Sequence, residues 1–244
     1  MMDENFIHED LLYAVSNRED GNLSCKWGPE KTVIDCRGKF LKKNGLTPGD
    51  CVIADLGQSD GVEVVGKNDS GKGMSSCRDR GVAADSLITN EKGVYLFLLI
   101  ADCIPMVLYD PVKKILALVH LGRLTTNLRL VDKTIRKMVE VFGVDPSNVI
   151  AYGGPSIGKN SYRLDFFKED KNEWKDFVRQ ERDGKFWVDV AGHNRRQLLD
   201  MGVKENNIYT SSIDTFTSLE YFSHYRSVRT GENEGRFATV VGMK

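Results

Sequence analysis

Cys103 and His120 stand at the far ends of two short apolar runs in LLIADCIPMVLYDPVKKILALVHLGR (98–123), in a chain with only four histidines. A thiolate and an imidazole are two zinc-ligand types, and they are equally a nucleophile and its base. Two residues alone do not separate these chemistries, and a third ligand must come from elsewhere. Free cysteine is also among the most buried residue types, so a packed core thiol beside an edge histidine answers the same pattern. Asp102, next to the cysteine, suits three roles: orienting a histidine, binding a substrate hydroxyl, or capping the break before Pro105. The other histidines read as structural or surface groups: His8 in the N-terminal tail, His193 near a helix and His224 in an aromatic-rich turn.

These side chains need elements that bring them together. IPMVLYD and KKILALVH read as an antiparallel pair around the turn DPVKK. Strands rise about 3.3 Å per residue, so two runs of similar length return their far ends to one place. GVYLFLLIAD is a strand apolar on both faces, and DLLYAVSN (10–17) an opening strand. DCVIADLG and GVEVVG are short strands joined by GQSD, a polar turn able to point into a site. GPEKTVIDCRGKFLKKNG predicts a helix, with Pro29 and Glu30 in its first turn and Gly45 at its end. NLRLVDKTIRKMVEVFG is the clearest helix, with Leu130, Ile135, Met138 and Val139 on one side and Gly143 as its stop.

NVIAYGGPSIG reads as a strand running into a Gly/Pro loop. LDFFKEDKNEWKDFVRQERDG predicts a second helical region, KFWVDV a strand and VAGHNRRQLLDMG a helix. NNIYTSS is a strand, TSLEYFSHYR a short helix or loop, and GRFATVVGM the last strand. Strands outnumber helices, which points to one mixed α+β domain over residues 1–244.

The chain has 244 residues, 41% hydrophobic and 28% charged, the balance of an ordinary soluble globular protein. Its 34 Lys plus Arg against 35 Asp plus Glu argue against nucleic-acid or anionic-membrane partners. The longest apolar run is interrupted by Asp102 and Pro105, too broken to span a bilayer. MMDENFIHEDLLYAV carries no basic region ahead of its apolar patch, unlike a signal peptide. Five cysteines sit singly at 25, 36, 51, 77 and 103 without a CxxC pair. That pattern argues against structural zinc and a disulfide framework, and points to a reducing cytoplasm.

Two further constellations carry chemistry. GGPSIGKNSYRLD (153–165) describes a tight loop that can present backbone N–H groups, with Lys159 adding charge for an anion. It equally describes a turn after a strand. Arg226, Arg229 and Arg236 fall near Tyr221, Phe222 and Tyr225, which suits a phosphate-plus-base ligand or a surface loop. KNDSGKGMSSCRDR (67–80) is a loop whose GKGMSS lacks the spacing of a phosphate-binding GxxxxGK[ST].

The ordered stretches NLSCKWG, VIDCRGKFLKKNGL, GVAADSLITNEKGVYLFLLIADCIPMVLYDP, LVHLGR, AYGGPSIG, VDVAGHNRRQLLDMGV, YFSHYR and GRFATVV resemble the multicopper-polyphenol-oxidase-like, or laccase-domain, family across nearly the whole chain. The resemblance implies a layered α/β/β/α fold shared with the catalytic domain of cytotoxic necrotizing factor toxins. It implies zinc-dependent phosphorolysis of a purine nucleoside (adenosine, inosine, guanosine or methylthioadenosine) to base and ribose 1-phosphate, with phosphate as co-substrate and adenosine deamination attributed as well. The partner is then a small-molecule nucleoside, and the protein a monomer or homodimer.

The family's His, Cys, His metal triad falls on Gln58, Cys103 and His120, so a glutamine stands where the first histidine is expected. An amide oxygen is a weaker and harder ligand than imidazole, so this site should hold zinc less tightly. Catalytic roles then fall on Cys103, His120, Asp102 and Arg37, and substrate contacts on Lys159, Asn160, Arg226, Arg236 and Asp85. HAGWRG is replaced by HLGRLT, GPCC by GKNS, and a late CT by DT at Asp214 and Thr215, which raises Asp214 as a substitute ligand. Two rivals accompany this reading: a non-catalytic binding protein on the same fold, and a metal-free cysteine hydrolase using Cys103 and His120. A true multicopper oxidase is disfavoured, because four histidines cannot furnish its ligand set.

Overall fold

The computed structural model describes residues 8–170 and 172–244. The start of the segment read above for a signal peptide, residues 1–7, lies outside them. The first half of the chain supplies β1 (Leu11–Val15), α1 (Glu30–Lys43), β2 (Cys51–Ile53), β3 (Val62–Val64), β4 (Ser86–Thr89), β5 (Tyr95–Ile100), β6 (Ile104–Asp110) and β7 (Ile115–Leu121). The middle supplies α2 (Arg123–Asn127), α3 (Leu130–Phe142), β8 (Ile150–Gly153), β9 (Arg163–Leu164), β10 (Val178–Gln180) and β11 (Phe186–Val188). α4 (Val190–Asp200), β12 (Ile208–Thr210), α5 (His224–Thr230) and β13 (Phe237–Met243) complete it.

A four-stranded sheet runs β1-β13-β5-β2, a six-stranded sheet β12-β8-β6-β7-β4-β3, and a small sheet β10-β11-β9. Each larger sheet mixes parallel and antiparallel pairs. The fold is α+β, and strand alternation explains its layering. Met106 and Leu108 face a core shared with Leu130, Ile135 and Met138 of α3 and Leu198 of α4. Val107 and Tyr109, the intervening positions of β6, face the opposite way and meet Leu96, Leu98 and Ile100 of β5. On the far side of β5, Phe97 packs with Phe40 and Leu41 of α1. The order is therefore helix, sheet, sheet, helix, and β5 and β6 need apolar residues on both faces because each is covered twice.

α1 starts after Pro29, carries Glu30 in its first turn and ends near Asn44 and Gly45, the latter at φ +73°. α3 stops at Gly143, whose φ of +64° is the left-handed cap that glycine adopts without steric cost. Val139, expected on its apolar side, is 37% exposed instead.

Two expectations fail. The described residues of 164–184 form no helix: β9 and β10 both pair with β11, and Trp174 and Phe167 between them are buried. The two short strands joined by GQSD are both present and part into different sheets, β2 joining β5 in one and β3 joining β4 in the other. Cysteine spacing also misled: Cys25 and Cys77, 52 residues apart, form a disulfide with Cα atoms 5.7 Å apart. It ties the Gly/Ser-rich loop to the chain just ahead of α1. No helix among the described residues is long and apolar enough to cross a membrane.

Candidate functional site

The β6–β7 hairpin builds the centre of the site. Its register pairs Ile104 with Leu121 and Pro105 with His120. Cys103 therefore lies one step beyond the ladder, opposite Gly122. A Cβ at Gly122 would stand 2.8 Å from Cys103 Sγ and 4.0 Å from His120 Nε2. Glycine is required there because any side chain would strike the thiol. The expected meeting of Cys103 and His120 is thus set by the hairpin.

Asp85 holds the histidine from behind. It is fully buried, and its Oδ1 lies 2.8 Å from His120 Nδ1. The same carboxylate accepts from the backbone N–H groups of Gly57, Gln58 and Ser59 and from the Ser59 hydroxyl. Asp85 was expected to touch substrate; every one of these bonds points instead into the protein. It positions both His120 and the turn that carries Gln58. Burial opposes its ionisation, but the His120 and Ser59 hydrogen bonds prevail and lower its pKa. Burial likewise opposes charge on His120, and is overcome by Cys103 and Asp85, which raise its pKa.

Gln58 adopts φ +54°, a left-handed conformation held by the Asp85 bonds. Asp102 is likewise left-handed, at φ +79°, where the chain turns from β5 into β6. Its Oδ1 accepts from Thr215 Oγ1 at 2.7 Å and its Oδ2 from the Tyr225 N–H at 2.7 Å. The carboxylate therefore ties the turn between β5 and β6 to Thr215 and to the start of α5. Burial is the largest influence on its carboxyl and raises its pKa.

These residues open onto a cavity of about 340 Å³ lined by Gln58, Asp102, Cys103, His120, Arg123, Tyr162, His224 and Tyr225 together with Leu124, Ile157, Leu164 and Val190. That is the size and character of a small-molecule site: apolar and aromatic walls with a few convergent polar groups. Arg123, where the resemblance puts tryptophan, pairs with Glu169 and lies beside Tyr162.

Other expected contacts lie away from the cavity wall. Arg37 is buried in α1, donating to the carbonyls of Leu23 at 2.8 Å and Gly73 at 2.7 Å and contacting Cys25 Sγ at 3.8 Å. Burial lowers its pKa to about 10. Arg226 donates to the carbonyls of Thr215, Phe216, Ser218 and Tyr221 and to Glu232, which makes it a clamp for the 215–221 loop. Arg236 donates to Glu234, while Lys159 and Asn160 are exposed outside the cavity. The Gly/Pro loop was read as an anion cradle, yet its N–H groups are taken internally: Gly154 by Pro105, Ser156 by Ile213 and Ile157 by Asp102.

Asp214 is not in the cavity wall either. Its Oδ2 accepts from Ser161 Oγ at 2.5 Å, so two of the positions where the family pattern carries cysteine meet in this chain as a hydroxyl and a carboxylate. Sequence reasoning set His224 aside as a structural or surface group, placed Arg123 at the site without a role and passed over Tyr162. The aromatic-rich YFSHYR was the available signal for the first.

The donor types test the implied metal. Cys103 offers a thiolate, and His120 offers Nε2 while its other nitrogen rests on a carboxylate, the usual arrangement behind a metal-bound imidazole. Gln58 supplies an amide oxygen on the same cavity. Among the described residues no three His, Cys, Asp or Glu side chains gather into a metal-holding cluster. The residues fit a metal at two strong positions and one weak one.

Known proteins place these features in a lineage. The family described as "Multi-copper polyphenol oxidoreductase laccase" matches residues 15–244. The chain is 30% identical over 204 residues to a protein named purine nucleoside phosphorylase YlmD of Bacillus subtilis (strain 168), covering 79% of this chain and 70% of that one. It is 32% identical over 163 residues to a purine nucleoside phosphorylase of Bacteroides thetaiotaomicron, covering 64% of this chain and 60% of the other. The solved structure of YlmD from Geobacillus stearothermophilus superposes with a TM-score of 0.88 at 22% identity, covering 97% of this chain and 93% of that one.

Proposed function

Because the chain belongs to the multi-copper polyphenol oxidoreductase laccase family, we propose that it is a phosphorolytic enzyme of purine nucleosides. It takes a nucleoside and phosphate to the free base and ribose 1-phosphate. The observation that carries this reading is the meeting of Cys103 and His120, backed by Asp85, at one wall of a cavity otherwise lined by aromatic and aliphatic groups. The names of the relatives supply the substrate class.

Each wall then has a task. Tyr162 and Tyr225 offer ring surface to a purine, and Leu124, Leu164 and Val190 keep water from its faces. Asp102 fixes the start of α5 against the Cys103 strand, so the two halves of the cavity hold a constant separation. Asp85 keeps the proton of His120 on Nδ1 and its Nε2 toward the cavity. Zinc held by Cys103 and His120, with Gln58 or water completing the set, would supply Lewis-acid polarisation.

The test is purified protein with inosine, adenosine or guanosine, with and without phosphate, followed by separation of base, ribose 1-phosphate and any deaminated nucleoside. Phosphate-dependent release of base that disappears in Cys103→Ala supports the reading. Turnover unaffected by Cys103→Ala, or no base released with any metal supplied, refutes it.

A second reading has its own observation. With glutamine at the third metal position, Cys103, His120 and Asp85 form a nucleophile, base and orienter series suited to a metal-free cysteine hydrolase. Selective iodoacetamide labelling of Cys103 in chelator-treated protein, lost in His120→Ala, favours it.

A further inference from the structure

We infer that His224 is the acid that protonates the departing purine, with Glu234 and Arg236 positioning it. The inference rests on the phosphorolytic reading above and supplies the proton donor that Cys103 and His120 leave unassigned.

The exchangeable protons lining the cavity narrow quickly. Asp102 has both oxygens accepting, from Thr215 and Tyr225. Thr125 Oγ1 donates to the His120 carbonyl at 2.8 Å. The Tyr225 hydroxyl donates to the Arg163 carbonyl. Arg123 is held by Glu169, and a guanidinium does not release its proton in this range. Cys103 and His120 are engaged with each other and with Asp85. Tyr162 lies against Arg123. His224 lines the same cavity and has a different arrangement.

Its Nδ1 lies 2.9 Å from Glu234 Oε1. Glu234 is a built acceptor: Arg236 donates to Oε1 at 2.6 Å and the Ser227 hydroxyl to Oε2 at 2.6 Å. A carboxylate so surrounded can only accept, so the shared proton sits on His224 Nδ1. Nε2 is left for the cavity and what occupies it. Ser223 caps α5 by accepting from the Arg226 N–H, while Asp102 accepts from Tyr225, so the residues flanking His224 are fixed from two directions. The ring is also 55% exposed, so solvent can reload it between turnovers.

In the step itself, a phosphate oxygen forms the bond to ribose C1′ as the C1′–N9 bond breaks, and that electron pair passes into the purine. The imidazolium of His224 gives its Nε2 proton to purine N7, which leaves a neutral base and a neutral imidazole with its proton still on Nδ1. The new phosphate ester releases its remaining proton to solvent, and His224 takes one back. No oxidant or reductant is involved.

A substrate that needs no protonation isolates the role. 7-Methylinosine carries a cationic base that departs without an acid. His224→Ala should lower kcat/KM on inosine by about 10²-fold or more, the usual worth of a positioned acid, while 7-methylinosine is cleaved within about threefold of wild type. Glu234→Gln, which keeps the shape at that position, should lower kcat on inosine with little change in KM and also be rescued by the methylated substrate. Equal losses on both substrates would reduce His224 to a structural role and overturn the inference, as would no loss on either. If wild type cleaves neither nucleoside with phosphate, the phosphorolytic reading falls and this inference falls with it.

Discussion

Replacing Asp85 tests the architecture of the site most directly, because one buried carboxylate serves five donors. Three are backbone N–H groups of the 57–59 turn, at 3.1, 3.1 and 2.7 Å, one is the Ser59 hydroxyl at 2.9 Å, and one is His120 Nδ1 at 2.8 Å. In Asp85→Ala all five lose their acceptor. The turn lies toward solvent, so water can serve much of it, whereas His120 is 6% exposed and its nitrogen cannot be so served. At about 0.5–1.5 kcal/mol for each hydrogen bond replaced by water and about 1–3 kcal/mol for a buried orphan, the loss is about 4 kcal/mol. Urea unfolding measures it.

Asp85→Asn is subtler. Its oxygen can still accept, but its NH₂ must take the place of either Oδ2, which faces three turn donors, or Oδ1, which faces His120 and the Gln58 N–H. Facing the turn would set donor against donor several times over, so the NH₂ turns to His120 and forces Nδ1 to accept. The imidazole proton then moves to Nε2, on the cavity side, and that nitrogen can no longer ligate a metal or take a proton from Cys103. We expect a loss of about 2 kcal/mol in stability and of roughly 10- to 100-fold in metal affinity or activity, the scale seen when a carboxylate behind a ligand histidine is lost. With four histidines in the chain, ¹⁵N NMR can assign the His120 tautomer by comparison with His120→Gln. An Asp85→Asn protein that retains the Nδ1–H form and full function would refute the reasoning.

Gln58→His should raise zinc affinity by about tenfold or more by completing an imidazole, thiolate, imidazole set, read by competition with a chelating dye; histidine tolerates the left-handed backbone there, and an unchanged affinity would remove residue 58 from the metal. Reducing the Cys25–Cys77 disulfide, which closes a 52-residue separation, should cost up to about 4 kcal/mol by the chain-entropy estimate. Paired urea melts with and without reductant should therefore part, and should coincide in Cys25→Ser/Cys77→Ser. His193, stacked on Phe177 and edge-on to Trp174, has its pKa lowered to about 4, first by burial and then by Arg129. The unfolded chain takes up that proton near 6.5 while the fold refuses it, so this stability is complete above pH 6.5 and is lost as pH falls toward about 4. His193→Gln should flatten the profile across that window, and an unchanged slope would show that His193 does not drive it.

The sequence by itself determined what short-range geometry governs. Two short apolar runs of similar length on either side of DPVKK specified the β6–β7 hairpin, and a hairpin's register follows from its turn, so the approach of Cys103 to His120 was legible from the sequence. The stripe on α3 and the glycine stop at 143 were legible for the same reason. The layered order followed from the resemblance, and β5 showed it locally by being apolar on both faces.

Tertiary structure alone decided the rest. The aromatic spacing of 164–184 suits a helix, but β11 draws both ends of that segment into a sheet, and backbone pairing from outside outweighs a weak local preference. The resemblance marks Asp85 as a substrate contact, and only the fold sets the 57–59 turn and His120 against its two oxygens. Cys25 and Cys77, Ser161 and Asp214, and Asp102 and Tyr225 meet over separations that no periodicity records. His224 reached the cavity in the same way. Such contacts form only after the layers close, since the packed core repays the entropy of bringing distant segments together.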